Sequence, residues 1–251
     1  MIVLRSEDEI SSIRSAGRII KATFELLRKN VAPGVSTIDL DIMACREIVK
    51  RDGVPAFKGV RVGNREYPAN ICTSINDVVV HGIPSKRTLK DGDIISIDIG
   101  VKFNNYYADA AITVGVGEIS AASEKLLSVT ERSLQEGIDK AIAGNRLGDI
   151  SSAVQKSVES NGFSVVRDLV GHGIGTALWE DPQVPNFGKP GTGPRLESGM
   201  VLAIEPMVNE GTFTVETIDD GWAIVTGDGK LSAHFEHTIV VREGKAEVLT
   251  A

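Results

Sequence analysis

The chain has 251 residues, 42% of them hydrophobic and 24% charged, which is near the average for a globular protein. Its net charge of −7 argues against a nucleic-acid-binding surface, and no apolar run approaches the roughly 18 residues of a membrane span. The two distant cysteines, Cys45 and Cys72, exclude a disulfide scaffold, and the early residues lack a signal-peptide core, so we expect a soluble cytoplasmic protein.

Apolar periodicity predicts four helices, arranged as two pairs. Ser6 and Glu9 have the spacing of a capping box and mark the start of the first helix, while Gly53 ends the second. The expected bounds are about 6–31 and 36–53 for the first pair, and about 120–144 and 149–162 for the second.

Strand-like segments follow each helical pair, so the order helix-helix-strands occurs twice. The first set covers 78–81, 93–100 and 106–114, and the second covers 163–166, 200–205, 213–216, 222–225 and 235–241. Two short repeats support this reading, because residues 81–83 recur as 172–174 and residues 92–98 recur as 199–205. We therefore predict two related halves, 1–118 and 119–251, that share one sheet-rich core. The segment 181–194, dense in Pro and Gly, is expected to be a stiff, irregular loop.

A pair of carboxylates lies on the predicted hairpin around Asn104. If the hairpin is centred between Phe103 and Asn104, Asp98 lies directly opposite Asp109, where like charges are destabilising. Such a pair needs a compensating cation or a shared proton. The alternative is that both acids face solvent on an edge hairpin.

Further candidate ligands end other predicted strands. Glu205 ends one strand, Glu236 interrupts another, and His172 lies between glycines that permit close approach of backbone and ligand. One imidazole with four carboxylates suits Mn, Fe(II), Co(II) or Zn, and bridging carboxylates suit two ions about 3.5–4 Å apart. The HExxH zinc motif is absent, and the run 234–237 does not replace it, because Glu236 and His237 face opposite sides of a strand.

At this point the chain resembles a known family, the type I methionine aminopeptidases, over essentially its whole length. The resemblance rests on the Asp98/Asp109 pair and on the runs Asn76-Asp77-Val78-Val79-Val80-His81-Gly82-Ile83-Pro84, Gly171-His172-Gly173-Ile174-Gly175, Pro182-Gln183-Val184, Ile204-Glu205-Pro206-Met207 and Glu236-His237-Thr238. It implies a single α+β domain of pita-bread fold, 1–251, in which two pseudo-symmetric halves form a central antiparallel sheet flanked by helices.

The resemblance also implies a dinuclear metal site and an activity, the removal of initiator methionine from nascent chains with a small second residue. The implied metal ligands are Asp98, Asp109, His172, Glu205 and Glu236, with Asp109 and Glu236 bridging two divalent ions. A water activated by the ions would attack the first peptide bond, with Glu205 carrying the proton and His81 contacting the scissile amide.

The family's pocket for the methionine side chain matches three further positions, Cys72, Tyr67 and Trp222. For Cys72 and Tyr67, ordinary core packing is an equal alternative. Asn76, Val78 and Ser232 match a monovalent-cation site of the family. The implied partners are peptide or nascent-chain N-termini and the ribosome, with no nucleic-acid site and no membrane, and the expected state is a monomer.

One position departs from the family pattern. A second histidine should follow Gly175 after three residues, but Trp179 stands there. Indole donates one hydrogen bond but cannot act as acid, base or metal ligand, and it is bulkier than imidazole. The alternatives are therefore a slow or substrate-shifted methionine aminopeptidase, an impaired form that still binds metal and peptide N-termini, and a peptidase of the prolidase or aminopeptidase P kind.

Overall fold

The computed structural model describes all 251 residues and contains four α-helices in two pairs, as predicted. They are α1 (Glu7–Arg28), α2 (Thr37–Lys50), α3 (Ala121–Ile138) and α4 (Leu147–Glu159). The capping box predicted for α1 is confirmed, because Ser6 Oγ accepts from the Glu9 amide while the Glu9 carboxylate accepts from the Ser6 amide. None of these helices is apolar enough over a sufficient length to cross a membrane.

Two helix boundaries differ from the prediction. Helix α3 ends at Ile138 rather than near Gly144, because the chain turns after Asp139 and places Ile142 beside Arg242. Helix α4 begins two residues before Asp149, whose carboxylate accepts a hydrogen bond from the Arg146 amide at 2.8 Å. Asp149 is therefore inside the first turn and not its starting residue.

Seventeen strands, most of them short, make up the sheets. Seven precede α3: β1 (Val54–Pro55), β2 (Arg61–Val62), β3 (Arg65–Glu66), β4 (Cys72–Ile75), β5 (Val78–Val80), β6 (Ile94–Phe103) and β7 (Tyr106–Gly115). Ten follow α4: β8 (Ser164–Val165), β9 (Val170–Gly173), β10 (Glu180–Pro185), β11 (Val201–Ile204), β12 (Met207–Asn209), β13 (Val215–Thr217), β14 (Ile224–Thr226), β15 (Ser232–His234), β16 (Glu236–Val240) and β17 (Glu247–Val248).

The main sheet has nine antiparallel strands and is built from both halves of the chain. Its order is β1-β6-β7-β16-β11-β9-β10, with β4 paired to β6 and β17 paired to β16. The halves meet where β7 pairs with β16, at Ala111–Glu236 and Ala110–His237. The α+β class and the helix-flanked antiparallel sheet are thus confirmed, whereas a pseudo-symmetric relation between 1–118 and 119–251 stays a prediction.

The expected register of the central hairpin is wrong by two residues. Asn104 and Asn105 both have positive φ, 48° and 66°, and together form the two-residue turn, so Phe103 pairs with Tyr106. Asp98 therefore pairs with Ala111, and Asp109 pairs with Gly100. Because the shift is an even number of residues, both carboxylates still lie on the same face of the sheet.

The segment 181–194 is also more regular than predicted. Its first residues belong to β10, which pairs with β9 from Glu180↔Gly173 to Pro185↔Val170 and carries an irregularity between Glu180 and Gln183. The prolines are accommodated because β10 is the last strand of the main sheet, so one of its sides has no partner strand.

Candidate active site

Five neighbouring strands of the main sheet each deliver one of the expected metal ligands to the same region. In sheet order the ligands are Asp98 on β6, Asp109 on β7, Glu236 on β16, Glu205 immediately after β11, and His172 on β9. Short cross-strand distances, about 5 Å between adjacent strands, explain why residues so distant in sequence converge. The acids therefore face a common site and not solvent at an edge hairpin.

The innermost ligands lie close enough to share an ion. Ligand atoms of Asp109, His172 and Glu236 all lie within 4.8 Å of one another. Three buried carboxylate oxygens, Asp98 Oδ1, Asp109 Oδ1 and Glu236 Oε1, have no hydrogen-bond partner within the protein. Buried polar atoms are normally paired, so these oxygens fit a cation as their partner.

The His172 ring is oriented as a metal ligand would be. Its Nδ1 lies 2.8 Å from the Gly173 carbonyl oxygen and donates to it, which leaves the Nε2 lone pair facing the site. Nε2 lies 3.6 Å from Glu205 Oε1. A backbone carbonyl that fixes the tautomer in this way is a common second partner of metal-binding histidines.

The electrostatics of the cluster favour a cation. Burial raises the pKa of Asp98, Glu205 and Glu236 well above the usual range, and the charge of Asp109 raises all three further. Burial also raises the pKa of Asp109 to about 6, against the lowering effect of hydrogen bonds from Asp98 and the Ala110 amide. Four carboxyl groups that resist ionisation together become easy to ionise when a divalent ion neutralises them.

Packing against neighbouring backbone requires glycine at two of the three glycine positions around His172. A Cβ at Gly171 would lie 2.4 Å from the Ala203 carbonyl oxygen, and one at Gly173 would lie 2.1 Å from the Asp181 carbonyl oxygen. At Gly175 it would collide with the Arg5 guanidinium at 2.3 Å. The motif thus allows β9 to lie tightly between its neighbours, which holds His172 at the centre of the site.

Beside the carboxylates lies a pocket of about 290 Å³ with an apolar end. Phe57, Val60, Tyr67, Cys72 and Trp222 are among the residues that line it. The Tyr67 and Trp222 rings meet edge to face, with centroids 5.1 Å apart. Tyr67 and Cys72 also belong to the large hydrophobic core, so these two side chains line the pocket and pack in the core at once.

His81 lies at the junction of this pocket with a second, wider cavity of about 560 Å³. Its backbone has a φ of 60°, a left-handed conformation that is uncommon for residues other than glycine. The next residue, Gly82, packs so closely that a Cβ there would lie 2.2 Å from the Thr73 carbonyl oxygen. Burial lowers the pKa of His81, so its ring is neutral near neutral pH.

Trp179 lines both cavities and is 52% exposed. The loop that carries it is anchored by Glu180, whose Oε1 accepts from the Ala177 amide at 3.0 Å and from Thr176 Oγ1 at 3.1 Å. The buried guanidinium of Arg5 binds both carboxylate oxygens of Glu180. The loop that carries Trp179 is therefore anchored by the Arg5–Glu180 pair, and Glu180 itself lines the wider cavity.

The residues expected at a monovalent-cation site are also near one another. The Ser232 amide donates to the Asn76 carbonyl oxygen at 2.8 Å, and Val78 pairs with Val225 in the adjacent ladder. The Asn76 side chain is occupied, since it donates to Asp93 Oδ1 at 2.9 Å and accepts from the Ile94 amide at 3.0 Å. Backbone oxygens are thus the atoms through which these residues could coordinate such an ion.

One residue at the site was missed by the sequence analysis. His234, at the end of β15, is only 2% exposed, and its Nε2 lies 3.9 Å from Glu205 Oε2 without a hydrogen-bond partner. Burial, with a smaller contribution from the nearby His81, lowers the pKa of His234 to about 3, so the ring is neutral. The available signal was its spacing of two from Glu236, which places both side chains on one face of an extended segment.

A known protein family and full-length relatives match almost the whole chain. A family model described as metallopeptidase family M24 matches residues 11–243. The chain is 54% identical over 250 residues to a methionine aminopeptidase of Clostridium perfringens, covering 100% of this chain and 99% of the relative. It is 52% identical over 250 residues to methionine aminopeptidase 1 of Bacillus subtilis, with the same coverage.

Solved structures give the same picture. The structure of methionine aminopeptidase from Thermotoga maritima matches with a TM-score of 0.96 and 44% identity, covering 100% of this chain and 99% of that one. The Xaa-Pro dipeptidase of Bacillus anthracis matches with a TM-score of 0.79 and 21% identity, and this chain covers 61% of it. At that identity the second match shows a shared fold alone.

Proposed function

The chain belongs to metallopeptidase family M24, and from this membership and its site we propose that it removes the N-terminal methionine from nascent proteins whose second residue is small. It is a hydrolase, and its full-length relatives at 51–54% identity are named methionine aminopeptidase. The observation that carries the proposal is the convergence of four carboxylates and an imidazole beside an apolar pocket.

The donor set fits two divalent ions. Asp98, Asp109, His172, Glu205 and Glu236 would hold them, and the buried oxygens of Asp98, Asp109 and Glu236 that lack a hydrogen-bond partner would gain a cation as their partner. Oxygen-rich ligands with one imidazole suit Co(II), Mn(II), Fe(II) or Zn(II). When bound, such ions lower the pKa of a water molecule and polarise the scissile carbonyl.

The remaining chemistry belongs to the protein side chains. Glu205 takes the proton of the attacking water and returns it to the leaving amine, because its carboxylate is buried and adjoins His172. The neutral His81 donates a hydrogen bond to the scissile amide and then to the tetrahedral intermediate. The free α-amino group lies toward the acids, which restricts cleavage to the first peptide bond.

The apolar end of the pocket takes the methionine side chain. Tyr67, Cys72 and Trp222 supply its walls, and a volume of about 290 Å³ leaves room for one long flexible side chain beside the cleavage point. The rest of the peptide leaves through the wider cavity past His81 and Trp179. Trp179 narrows this exit, which favours a small second residue.

Because of Trp179, we favour an enzyme that is slow or that has a shifted substrate preference. The indole lies at the position where the family pattern has its second histidine, and losing one such donor costs about 10² to 10³ in rate. A prolidase-like activity is less well supported, because the likeness to such peptidases is confined to the fold. The acid cluster supports retained metal binding in either case.

We also propose the cellular setting. Initiator methionine is removed where chains are made, so the enzyme acts in the cytoplasm, and nascent chains at the ribosome are its substrates. It acts as a monomer, because one chain provides all five proposed ligands and the side-chain pocket. An optional monovalent cation would bind through the backbone around Asn76, Val78 and Ser232.

The direct test is cleavage of a Met-Gly peptide by protein reconstituted with Co(II) or Mn(II). We expect release of free methionine, no cleavage of the N-acetylated peptide, and loss of activity on Glu205→Gln. Met-Leu peptide serves as the matched control for the second residue and should be cleaved at least 10-fold more slowly. Release of other N-terminal residues in preference to methionine, from a fully metal-loaded protein, would contradict the proposal.

A further inference from the structure

His234 and His172 each lie near a different carboxylate oxygen of Glu205. Glu205 Oε1 lies 3.6 Å from His172 Nε2, and Glu205 Oε2 lies 3.9 Å from His234 Nε2. The carboxylate is thus bracketed by two imidazoles. The chain has only four histidines, and His81, His172 and His234 lie at this one site.

The His234 ring reaches the carboxylate but not the substrate. Its side chain is 2% exposed and lines neither cavity, whereas His81, His172 and Glu205 line both. Any effect of His234 on the reaction must therefore pass through a residue that it contacts. Glu205 is the contact that its unpaired Nε2 offers.

The backbone of His234 is held rigidly on both sides. Thr113 Oγ1 donates to the His234 carbonyl oxygen at 2.7 Å and accepts from the His234 amide at 2.9 Å. On the other side β15 pairs with β12 at Met207↔His234, and Met207 follows Glu205 by two residues. A ring fixed in this way can fix the orientation of its partner.

We propose that His234 is a positioning residue for Glu205. Its Nε2–H donates to Glu205 Oε2 and so keeps Oε1 directed toward His172 and the proposed metal position. Closing the separation of 3.9 Å to hydrogen-bond length requires a movement of about 1 Å, within the reach of a glutamate side chain. This inference rests on the proposed function, because it assigns Glu205 its orientation within that site.

The competing explanation is that His234 only fills space in the core. A space-filling imidazole with an unpaired buried nitrogen is replaceable by Leu without loss, and even with gain, in stability. A positioning imidazole is replaceable without loss of metal binding only by a side chain that still donates from the Nε2 position. Gln is that side chain, since its amide nitrogen lies about as far from the backbone as the histidine Nε2.

The experiment titrates Co(II) into the parent, His234→Leu and His234→Gln. Calorimetry measures the affinity, and the visible absorption spectrum of bound Co(II) reports on its coordination. We expect His234→Leu to weaken Co(II) binding about 10- to 100-fold and to change the spectrum, as is typical when a ligand's hydrogen-bond partner is lost. His234→Gln should stay within about threefold of the parent. Against a Met-Gly peptide, His234→Leu should lower kcat about 10-fold with KM unchanged, because His234 does not touch the peptide cavities.

Two controls separate positioning from folding. Metal-free His234→Leu should melt at the parent temperature or above it, and His237→Asn, which alters the chain's fourth histidine on the other face of the sheet, should leave Co(II) affinity unchanged. In a Glu205→Ala background, adding His234→Leu should change the affinity for the first Co(II) less than twofold, because the residue that His234 orients is gone.

The outcomes distinguish this proposal from the one it rests on. Equal Co(II) affinity and spectrum for the parent and His234→Leu would overturn the role of His234 and leave the metal site standing. A melting temperature that falls in His234→Leu and is not restored in His234→Gln would also overturn it, in favour of a structural role. Absence of Co(II) binding by the parent would overturn the proposed site and this inference with it.

Discussion

Asp98 and Asp109 are diagonal neighbours across the β6–β7 hairpin, since Asp98 pairs with Ala111 and Asp109 pairs with Gly100. Diagonal residues on one face of an antiparallel pair are about 7–8 Å apart at the backbone, compared with about 5 Å for direct partners. Despite this diagonal pairing, the two carboxyl groups are near enough to hydrogen-bond each other, and burial together with the Asp109 charge raises the pKa of Asp98. The two-residue turn at Asn104 and Asn105 sets this spacing.

The first prediction concerns the stability cost of the acid cluster. Asp98→Asn should raise the free energy of unfolding of the metal-free protein by about 1–3 kcal/mol at pH 7, because burial and the Asp109 charge raise the pKa of Asp98. Below the ordinary carboxyl pKa both states are protonated and no gain remains; the gain grows as pH rises above about 4. The same variant should bind Co(II) at least 10-fold more weakly.

Urea unfolding in chelator at pH 4 and pH 7, with calorimetric Co(II) titration, measures both effects. The matched control is Asp77→Asn, an acid outside the cluster, which should change neither quantity. If metal-free Asp98→Asn is instead less stable than the parent at pH 7, then repulsion among the buried carboxylates does not destabilise the metal-free fold.

The second prediction concerns Trp179, which lines both cavities. Trp179→His should raise kcat for a Met-Gly peptide about 10-fold or more, because imidazole restores a small donor at the cavity junction. Trp179→Phe keeps the bulk and removes the N–H, so it separates donation from steric effects. Steady-state kinetics of the metal-loaded parent, Trp179→His and Trp179→Phe measure the two effects.

Near-equal rates for the parent and Trp179→His, with a lower rate for Trp179→Phe, would show that the indole N–H already serves as the hydrogen-bond donor. Inactivity of the parent with strong recovery in Trp179→His would identify an intact site disabled at this one residue. Inactivity of both proteins would argue against methionine as the preferred N-terminal residue.

The third prediction concerns the Arg5–Glu180 pair beneath the Trp179 loop. Arg5→Ala should lower the free energy of unfolding by about 3 kcal/mol, since it leaves a largely buried carboxylate without its partner. It should also raise KM for peptide, because Glu180 anchors the loop through Ala177 and Thr176. Arg14→Ala, which removes the more exposed pair with Glu247, should cost about 1 kcal/mol or less.

Chemical unfolding and steady-state kinetics of the two arginine variants measure these effects. Equal destabilisation by Arg5→Ala and Arg14→Ala would refute the role assigned to burial. An unchanged KM in Arg5→Ala would show that the loop keeps its position without the guanidinium.

The fourth prediction concerns acid sensitivity that arises from His237. Burial lowers the pKa of His237 to about 4, and its Nδ1 lies 2.8 Å from Thr250 Oγ1. The unfolded chain takes up a proton near pH 6.5 while the folded state resists it, so stability is lost as pH falls from about 6.5 toward 4. His237→Asn keeps a polar atom near the Nδ1 position and removes the titration.

The difference in unfolding free energy between the parent and His237→Asn isolates this imidazole from the carboxylates that titrate in the same range. We expect the difference to change in favour of the variant as pH falls from 7 to 4, and to be constant above pH 7. A difference that does not vary with pH would show that the folded state protonates His237 as readily as the unfolded chain does.

The sequence alone was sufficient for the helix pairs, the longer strands and the family, and it named as candidate ligands five residues that the structure brings to one site. Helical periodicity and the Ser6 capping box are local signals, and they were confirmed because side-chain spacing within one element determines which face is buried. Nine strands were missed: β1, β2, β3, β4, β9, β10, β12, β15 and β17. Eight of them have only two to four residues, too few to show a clear period, and β10 lies in the Pro- and Gly-rich segment that was read as a loop.

The tertiary structure decided which residues meet and at what distance. The sequence identified Asp98 and Asp109 as a pair, but their diagonal spacing depends on a turn whose exact centre the pattern left open. His234 comes to Glu205 only because β15 packs beside β12, a contact between strands that the sequence did not reveal. Ligand identity is a property of individual side chains, whereas distance and burial arise from strand pairing across the whole chain, and for that reason only the folded structure could supply them.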